Sequence, residues 1–304
     1  MPTARAPRSH RPDPEPTPPT PPTPPASPTT QADQTGGGFY DEPALYDMVY
    51  WPGTPDEVTG LERLAKRTLG ARWTGPWLEP ACGTGRCVRV VARRGRVKSI
   101  AGFDLAARML AFAQQKVDAL PKAAGERVTL FEGDMTNFSA VYRKLGLAPA
   151  VFAFNLHNTI RHLDSDRAML AHLREMSACM EKGAVYAVGM GLARYGIDGV
   201  TEDVWSGSKG AMRVTQVCQY LPPFAATGKA GRTERVVSHI TVAREGEPDR
   251  HHDATYPLRA YNLEQWSALV RESPFELAGL ADSEGREMGP VQHAYAVFVL
   301  RNRG

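Results

Sequence analysis

The chain has 304 residues, of which 42% are hydrophobic and 23% are charged, and its formal net charge is +3. This is the composition of a globular protein, and the small net charge excludes a strongly basic nucleic-acid-binding protein, although not a local basic patch. No stretch reaches the roughly 20 apolar residues of a membrane-spanning helix, and the N-terminus lacks the apolar segment of a secretory signal. The four cysteines form no CxxC pair, which predicts free thiols and a cytoplasmic protein.

Residues 1–37 are predicted to be a disordered tail. Twelve of the 25 prolines fall within the first 28 residues. Proline has no amide proton and a fixed φ, and the segment has few apolar side chains to bury, so no packed helix or strand is expected there. Gly36, Gly37 and Gly38 end the tail with a flexible joint. The tail is expected to be a spacer or, alternatively, to bind a partner weakly through its PxxP pattern.

Residues 38–304 are predicted to form one α/β domain, because apolar runs of strand length alternate with amphipathic stretches of helix length. The first predicted elements in chain order are a helix from a Thr54–Glu57 capping box to Leu69, strands at Trp77–Leu78 and Ser99–Phe103, a helix over Leu105–Leu120, and strands at Val128–Phe131 and Ala150–Phe154. They are followed by a helix from an Asp164 cap to Gly183 and a strand at Val185–Val188. The last elements are a helix over Leu263–Glu272 with Asn262 as cap, and strands at Phe275–Leu280 and His293–Leu300. This order predicts a doubly wound, mostly parallel, seven-stranded Rossmann-like sheet with helices on both faces. Period-two stretches predict an inserted antiparallel β subdomain over residues of about 205–258.

The segment Leu78-Glu-Pro-Ala-Cys-Gly-Thr-Gly-Arg86 lies between a predicted strand and a predicted helix. Gly83 and Gly85 let the backbone approach a ligand, and the N-terminus of the following helix favours negative charge. A dinucleotide site requires a third glycine where Val88 stands. A P-loop requires Gly-Lys-Ser/Thr, whereas Gly85 is followed by Arg86. Both of these ligand classes are therefore disfavoured.

The same segment resembles the glycine motif of class I S-adenosylmethionine-dependent methyltransferases, which has an acid and then G-x-G-x-G at the end of the first strand. Glu79, Gly83 and Gly85 match this motif, and Ala81 stands where its first glycine usually lies. The resemblance covers about Tyr40 to Gly191 and implies S-adenosylmethionine as the cofactor, bound in part by these four residues.

Two further acids follow the next two predicted strands. Asp104 ends the second strand, 19 residues after Gly85, and Asp134 ends the third. Because parallel strands end along one edge of a sheet, Glu79, Asp104 and Asp134 are expected to line one crevice. Each acid alone is equally consistent with a helix cap or a surface carboxylate.

The resemblance assigns roles at these strand ends. It implies that Asp104 accepts hydrogen bonds from both ribose hydroxyls, that Asp134 accepts one from the adenine amino group, and that the following residues, Leu105 and Met135, belong to the same cofactor site. Asn155, at the end of the fourth strand, is expected near the methionine part of the cofactor.

Two local motifs are similar to small-molecule methyltransferases, including amino-sugar N-methyltransferases. They are Leu45-Tyr-Asp-Met-Val-Tyr50 and Asn158-Thr-Ile-Arg-His-Leu163. The resemblance implies that Tyr46 and His162 face the transferred methyl group. Since an amine must be neutral to attack, we predict His162 as the general base and Tyr46 as a positioning group, with His157 as a second candidate base.

The sequence thus predicts S-adenosylmethionine-dependent methyl transfer to a small-molecule acceptor at nitrogen, with oxygen as an alternative. No metal site is predicted, because His251-His252-Asp253 has no further ligand in view. Tyr220-Leu-Pro-Pro-Phe224 lacks the leading Asp or Asn found in nucleic-acid amino-methyltransferases, so a nucleic-acid acceptor is disfavoured. Transfer to RNA or to a protein side chain remains an alternative, as does a non-enzymatic module that binds an adenosyl ligand and acts through the proline tail. Trp205 and Tyr220 of the insert are expected to shape the acceptor pocket.

Overall fold

The computed structural model describes residues 41–290 and 294–304. The predicted tail over residues 1–37 and the predicted start of the last strand at His293 lie outside the described residues. The described residues form two sheets, one mixed and one antiparallel.

The large sheet has the order β11-β10-β12-β5-β4-β1-β2-β3. Strands β1 to β5 run parallel, and β12 is antiparallel to β5. Its strands are β1 Trp77–Pro80, β2 Ile100–Asp104, β3 Val128–Glu132, β4 Ala150–Asn155, β5 Met180–Leu192, β10 Phe275–Ala281, β11 Glu287–Met288 and β12 Ala294–Asn302. The predicted mostly parallel α/β fold is confirmed, and the two-residue strand β11 adds an eighth strand to the seven predicted.

Helices cover both faces of this sheet. They are α1 Pro43–Tyr50, α2 Thr54–Leu69, α3 Arg86–Arg94, α4 Ala107–Asp118, α5 Lys122–Gly125, α6 Ser139–Lys144, α7 Asp166–Ala178 and α8 Leu263–Glu272, with 3-10 helices at Gly70–Thr74 and Thr159–His162. One buried core contains Leu61 of α2 and Val88 of α3, and the core on the other face contains Leu173 of α7 and Trp266 of α8. The sheet is therefore buried on both sides, as a parallel sheet requires.

The antiparallel insert is a four-stranded meander in the order β6-β7-β8-β9. Its strands are β6 Thr201–Lys209, β7 Met212–Leu221, β8 Thr233–Arg244 and β9 Arg250–Arg259, so the insert begins four residues before the predicted position. Leu45 and Val49 of α1 pack against Val214 and Ile240 of the insert. At Gly207 of β6 a Cβ atom would overlap the Met48 carbonyl. The insert therefore holds α1 in place at close range.

Two of the three predicted helix caps differ from the structure. The predicted Thr54–Glu57 capping box is wrong: Gly53 is the N-cap residue of α2, without a side-chain cap, and the Thr54 hydroxyl donates to the Tyr50 carbonyl at 3.0 Å. The predicted Asp164 cap is also wrong, because Ser165 Oγ accepts from the Ala168 amide at 3.2 Å. The Asn262 cap is confirmed, as part of a complete capping box with Gln265.

The predicted helix stop at Gly183 is wrong as well. Helix α7 ends at Ala178, and Gly183 lies inside β5 with φ +74°, where the register with β4 shifts between Ala150 and Phe152. Glycine suits this irregularity because it adopts positive φ without steric cost. The glycine therefore marks a β-bulge.

No helix in the described parts of the chain combines the length and apolar character needed to cross a bilayer. The four cysteines are buried free thiols, as the sequence predicted.

Candidate active site

The glycine loop joins the end of β1 to the start of α3. Ala81, Gly83 and Gly85 all have positive φ, at 52°, 54° and 65°. A left-handed backbone costs an L-residue about 1–2 kcal/mol. Ala81 therefore holds its positive φ at the expense of strain. The loop is tied to the neighbouring strand, since the Cys82 amide donates to the Phe103 carbonyl at 2.9 Å.

Asp104, at the end of β2, is bonded directly to the glycine loop. Its Oδ2 accepts from the Gly83 amide at 2.7 Å, and its Oδ1 accepts from the Ala106 amide at 2.9 Å. Burial raises the pKa of Asp104 even though these amides favour the carboxylate. A carboxylate can accept about four hydrogen bonds, so Asp104 keeps acceptor capacity for a ligand.

Three polar atoms around the glycine loop are buried without a hydrogen-bond partner among the described residues. They are Glu79 Oε2, Thr84 Oγ1 and Asn155 Oδ1. Buried polar groups are nearly always paired, so this group of atoms marks a place where a ligand completes the bonding. Burial raises the pKa of Glu79 to about 8, although the nearby Arg86 charge lowers it. Asn155 Nδ2 donates to the Pro80 carbonyl at 3.0 Å, which fixes the end of β4 against the end of β1.

The end of β3 carries Asp134 and Met135. The Gly133 amide donates to the Asp104 carbonyl at 3.1 Å, which places this turn beside Asp104. Asp134 is exposed, and its Oδ1 accepts from both the amide and the hydroxyl of Thr136 at 2.7 Å. Asp134 therefore lies just after the end of β3, as predicted, and also stabilises its own turn.

Leu105 and Met135 present apolar surface beside these acids. Leu105 is 66% exposed, which is high for a leucine. Met135 is half-buried, and its carbonyl is hydrogen-bonded to His172 Nδ1 at 3.0 Å.

Helix α1 places Tyr46 over the glycine loop. A Cβ built on Gly83 would lie 3.9 Å from Tyr46 Cε1. Burial raises the pKa of Tyr46 to about 12, so the phenol keeps its proton at neutral pH. The next residue, Asp47, forms an ion pair with Arg89 of α3. The predicted positioning tyrosine thus lies against the predicted cofactor loop.

The structure adds a cluster that the sequence analysis missed. Glu57 Oε2 lies 2.7 Å from Arg86 Nη1 and 3.1 Å from His157 Nε2. Burial disfavours the Glu57 carboxylate, but the His157 hydrogen bond and the Arg86 charge outweigh it and lower the pKa of Glu57. The Arg86 guanidinium lies 6.0 Å from the centre of the Tyr50 ring. The sequence signal was the Thr54–Glu57 pattern, which we had interpreted as a cap.

His162 lies on the side of the site that faces the insert. Its ring stacks on Tyr256 of β9, with the ring centres 5.5 Å apart. The imidazole is exposed at the surface, yet enough protein surrounds it that desolvation, together with the Arg161 charge, lowers its pKa to about 4. Arg161 is buried and pairs with Glu234 of β8 at 3.2 Å. A cavity of about 280 Å³ beyond the end of β5 is lined in part by Arg161, Glu234 and Tyr220.

Comparison with known proteins identifies a domain and a fold. A family model described as a methyltransferase domain matches residues 78–183. No curated protein matches the sequence. Among solved structures, DesVI of Streptomyces venezuelae has a TM-score of 0.63 at 18% identity and covers 84% of this chain and 95% of its own.

Two further structures are similar over comparable lengths. The sugar N-methyltransferase KedS8 of a Streptoalloteichus species has a TM-score of 0.62 at 19% identity, over 92% of this chain and 99% of its own. The amino pentose methyltransferase CalS10 of Micromonospora echinaspora has a TM-score of 0.59 at 20% identity, over 82% and 92%. A methyltransferase-domain model thus matches residues 78–183, and the chain as a whole shares the fold of these methyltransferase structures.

Proposed function

We propose that the protein transfers a methyl group from S-adenosylmethionine to a nitrogen atom of a small-molecule acceptor. The observation that carries this proposal is the set of orphaned buried atoms of Glu79, Thr84 and Asn155 beside a glycine loop bonded to Asp104. The matched methyltransferase domain contains all four residues. The similar structures include a sugar N-methyltransferase and an amino pentose methyltransferase with S-adenosylmethionine bound, which supports this cofactor and an amine acceptor.

The residues present fit the nucleoside part of this cofactor. The remaining lone pairs of Asp104 would accept from the ribose hydroxyls as charge-assisted hydrogen bonds. The exposed Leu105 and the half-buried Met135 would offer apolar surface to the adenine ring. Asp134 Oδ2, which makes no hydrogen bond to the described residues, would accept from the adenine amino group.

The glycine loop and the orphaned atoms fit the methionine part. Ala81, Gly83 and Gly85 bring the backbone close to the ligand, and Glu79 and Asn155 supply acceptors for its ammonium group. When bound, S-adenosylmethionine supplies an electrophilic methyl group on a positively charged sulfur. The protein orients the acceptor towards that methyl group and excludes water.

Tyr46 and His162 position the acceptor on opposite sides. Tyr46 approaches over the glycine loop, and His162 approaches from the stack on Tyr256. Desolvation and the Arg161 charge lower the pKa of His162 to about 4, so the ring is neutral at pH 7. We therefore assign His162 a hydrogen-bonding role, and its role as general base stays a prediction.

We assign the acceptor to the space between the end of β5 and the insert. The cavity there measures about 280 Å³, just below the range of about 300–1,000 Å³ that is typical of small-molecule pockets. Tyr220 lies in its wall, as predicted, together with the paired charges of Arg161 and Glu234. A neutral polar part of the acceptor can hydrogen-bond to Arg161 and Glu234 while their ion pair stays intact.

The test is methyl transfer from radiolabelled S-adenosylmethionine to metabolite, RNA and protein fractions, each with and without nuclease or protease treatment. Label in the metabolite fraction, insensitive to both treatments, is expected. Label in the RNA or protein fraction would establish the alternative acceptors. Cofactor binding without any transfer would favour the non-enzymatic adenosyl-binding module. A cytoplasmic location and a partner for the proline tail stay predictions.

A further inference from the structure

The backbone at His157 has an unusual conformation at a functional position. His157 comes two residues after the last residue of β4, and both His157 and Asn158 have positive φ, at 56° and 62°. Two consecutive non-glycine residues in this region are strained, and such strain persists only where the surroundings enforce it. The conformation turns the His157 side chain back towards α2.

Contacts from two strands, β5 and β12, enforce this conformation. The His157 amide donates to the Tyr295 hydroxyl at 3.0 Å, and the Asn158 amide donates to the Gly189 carbonyl at 3.0 Å. Asn158 Oδ1 accepts from the Gly191 amide at 2.7 Å. At Gly189 a Cβ atom would overlap the Tyr295 hydroxyl, so this glycine makes room for the contact that holds His157.

In this conformation, the described residues form a hydrogen bond with one nitrogen of the imidazole and none with the other. Nε2 lies 3.1 Å from Glu57 Oε2, whereas Nδ1 makes no hydrogen bond to the described residues. The side chain of His157 is 44% exposed, and that of Glu57 is 19% exposed. In the neutral imidazole, the nitrogen that faces a carboxylate carries the proton. Nδ1 is then a basic lone pair on a partly exposed ring.

One carboxylate faces the His157 ring, and the other neighbouring side chains are aromatic or lie behind that carboxylate. Glu57 of α2 faces it as a carboxylate, and Arg86 of α3 lies on the far side of that carboxylate. Tyr50 of α1, with its ring centre 6.5 Å away, and Tyr295 of β12 are the other titratable groups that face it. Burial raises the pKa of Tyr295 to about 12, so this phenol stays neutral. Glu57 therefore provides the only negative charge among the described groups in contact with the ring.

Aromatic rings connect His157 to the glycine loop. Tyr46 lies over Gly83, and its ring centre is 4.7 Å from that of Tyr50. Tyr50 in turn lies 5.7 Å from Trp205 of the insert and 6.5 Å from His157. The faces of such rings attract cations, so this space suits an amine that acquires positive charge as it is methylated.

We propose that His157 is the group that takes the proton from the acceptor amine, with Glu57 as its positioning residue. The proposal rests on the proposed function. The amine nitrogen forms a bond to the methyl carbon while the carbon–sulfur bond breaks and its electron pair stays on sulfur. One proton passes from the methylated nitrogen to Nδ1 of His157 and from there to solvent. Glu57 compensates the positive charge for as long as the imidazole holds that proton.

The first test measures the tautomer of His157 by nitrogen NMR of the ligand-free full chain. We expect the neutral ring to carry its proton on Nε2 and to lose this preference in Glu57→Gln. Thr54→Val is the matched control, because Thr54 accepts from the same Arg86 nitrogen at 3.0 Å without a contact to His157. An Nδ1 proton in the wild-type protein, or a tautomer that Glu57→Gln leaves unchanged, would overturn the proposal.

The second test compares kcat and KM on the amine that the wild-type enzyme methylates. Asparagine tolerates positive φ, so His157→Asn preserves the backbone. It is expected to lower kcat by about 10²–10⁴-fold, with KM changed little. His162→Asn should lower kcat by less than His157→Asn does.

Imidazole in solution should restore turnover to His157→Gly, since glycine also adopts this backbone, and should not restore it to His162→Gly. An unchanged kcat in His157→Asn, or no rescue, would refute the role of His157 and leave the proposed methyl transfer standing. Absence of any amine methylation by the wild-type enzyme would instead refute the proposed function, and the role of His157 with it.

Discussion

Glu79 offers the sharpest test of the cofactor site, because its protonation state should change when the cofactor binds. Burial raises its pKa to about 8, and its Oε2 has no hydrogen-bond partner in the described part of the chain. At pH 7 such a group is protonated to roughly 90%. S-adenosylmethionine brings a sulfonium and an ammonium charge into the crevice, and positive charge near a carboxyl favours its ionised form. Binding should therefore expel the Glu79 proton.

The magnitude follows from proton linkage. At pH 7, binding should release about 0.9 proton from Glu79 if the bound carboxyl is fully ionised. Lowering its pKa by two units requires on the order of 3 kcal/mol of interaction with the ligand. Below pH 8, affinity should fall as pH falls, and with a bound pKa two units lower the dissociation constant should be roughly 25-fold larger at pH 6 than at pH 8.

Calorimetry in two buffers with different ionisation enthalpies measures the number of protons released. Glu79→Gln is the control, because it keeps the shape of the side chain but cannot ionise. The difference between the two proteins isolates the Glu79 proton from any proton on the ligand's own amino group. Equal proton release in both proteins at pH 7 would refute the reasoning. So would a change in wild-type affinity between pH 8 and pH 6 that is no larger than the change in Glu79→Gln.

Three further predictions concern the loop and its surroundings. Ala81→Gly should stabilise the protein by about 0.5–1 kcal/mol in urea unfolding, because relief of left-handed strain exceeds the added entropy of the unfolded chain. In contrast, Ala111→Gly, at an exposed position of α4, should destabilise it by a similar amount. Asp104→Asn should weaken cofactor binding at least tenfold in calorimetry, and unchanged binding would contradict the ribose assignment. Gly207→Ala should lower kcat with little loss of cofactor affinity, because the added methyl group collides with the Met48 carbonyl and moves α1.

The acidic residues that follow the parallel strands could be predicted from the sequence. Glu79, Asp104 and Asp134 each follow a short apolar run, and parallel strands bring their ends to one edge. The register bears this out, since Pro80 pairs with Phe103 and Asp104 pairs with Glu132. Local sequence is enough here because the position of each acid depends only on where its own strand ends.

The parts that depend on distant contacts were not predictable. Glu57 satisfies the local pattern of a capping box, and only the packing of α2 against α3 brings Arg86 within 2.7 Å of it. Likewise, the backbone of His157 depends on a hydrogen bond to Tyr295, 138 residues further along the chain. An ion pair with a buried arginine stabilises a carboxylate more than a backbone amide at an exposed helix end does, so the tertiary contact prevails.

The insert has a second role, because it fixes α1 as well as covering the cavity. The apolar side of α1 packs on the insert through Leu45 and Val49, while its other side presents Tyr46 to the glycine loop and Asp47 to Arg89 of α3. A rigid helix of eight residues transmits a shift on one side to the other. Changes in the insert that reshape the acceptor cavity must therefore also move Tyr46 relative to the cofactor loop. For this reason, variants of the insert should change turnover and acceptor affinity together, whereas variants at the end of β3 should change cofactor affinity alone.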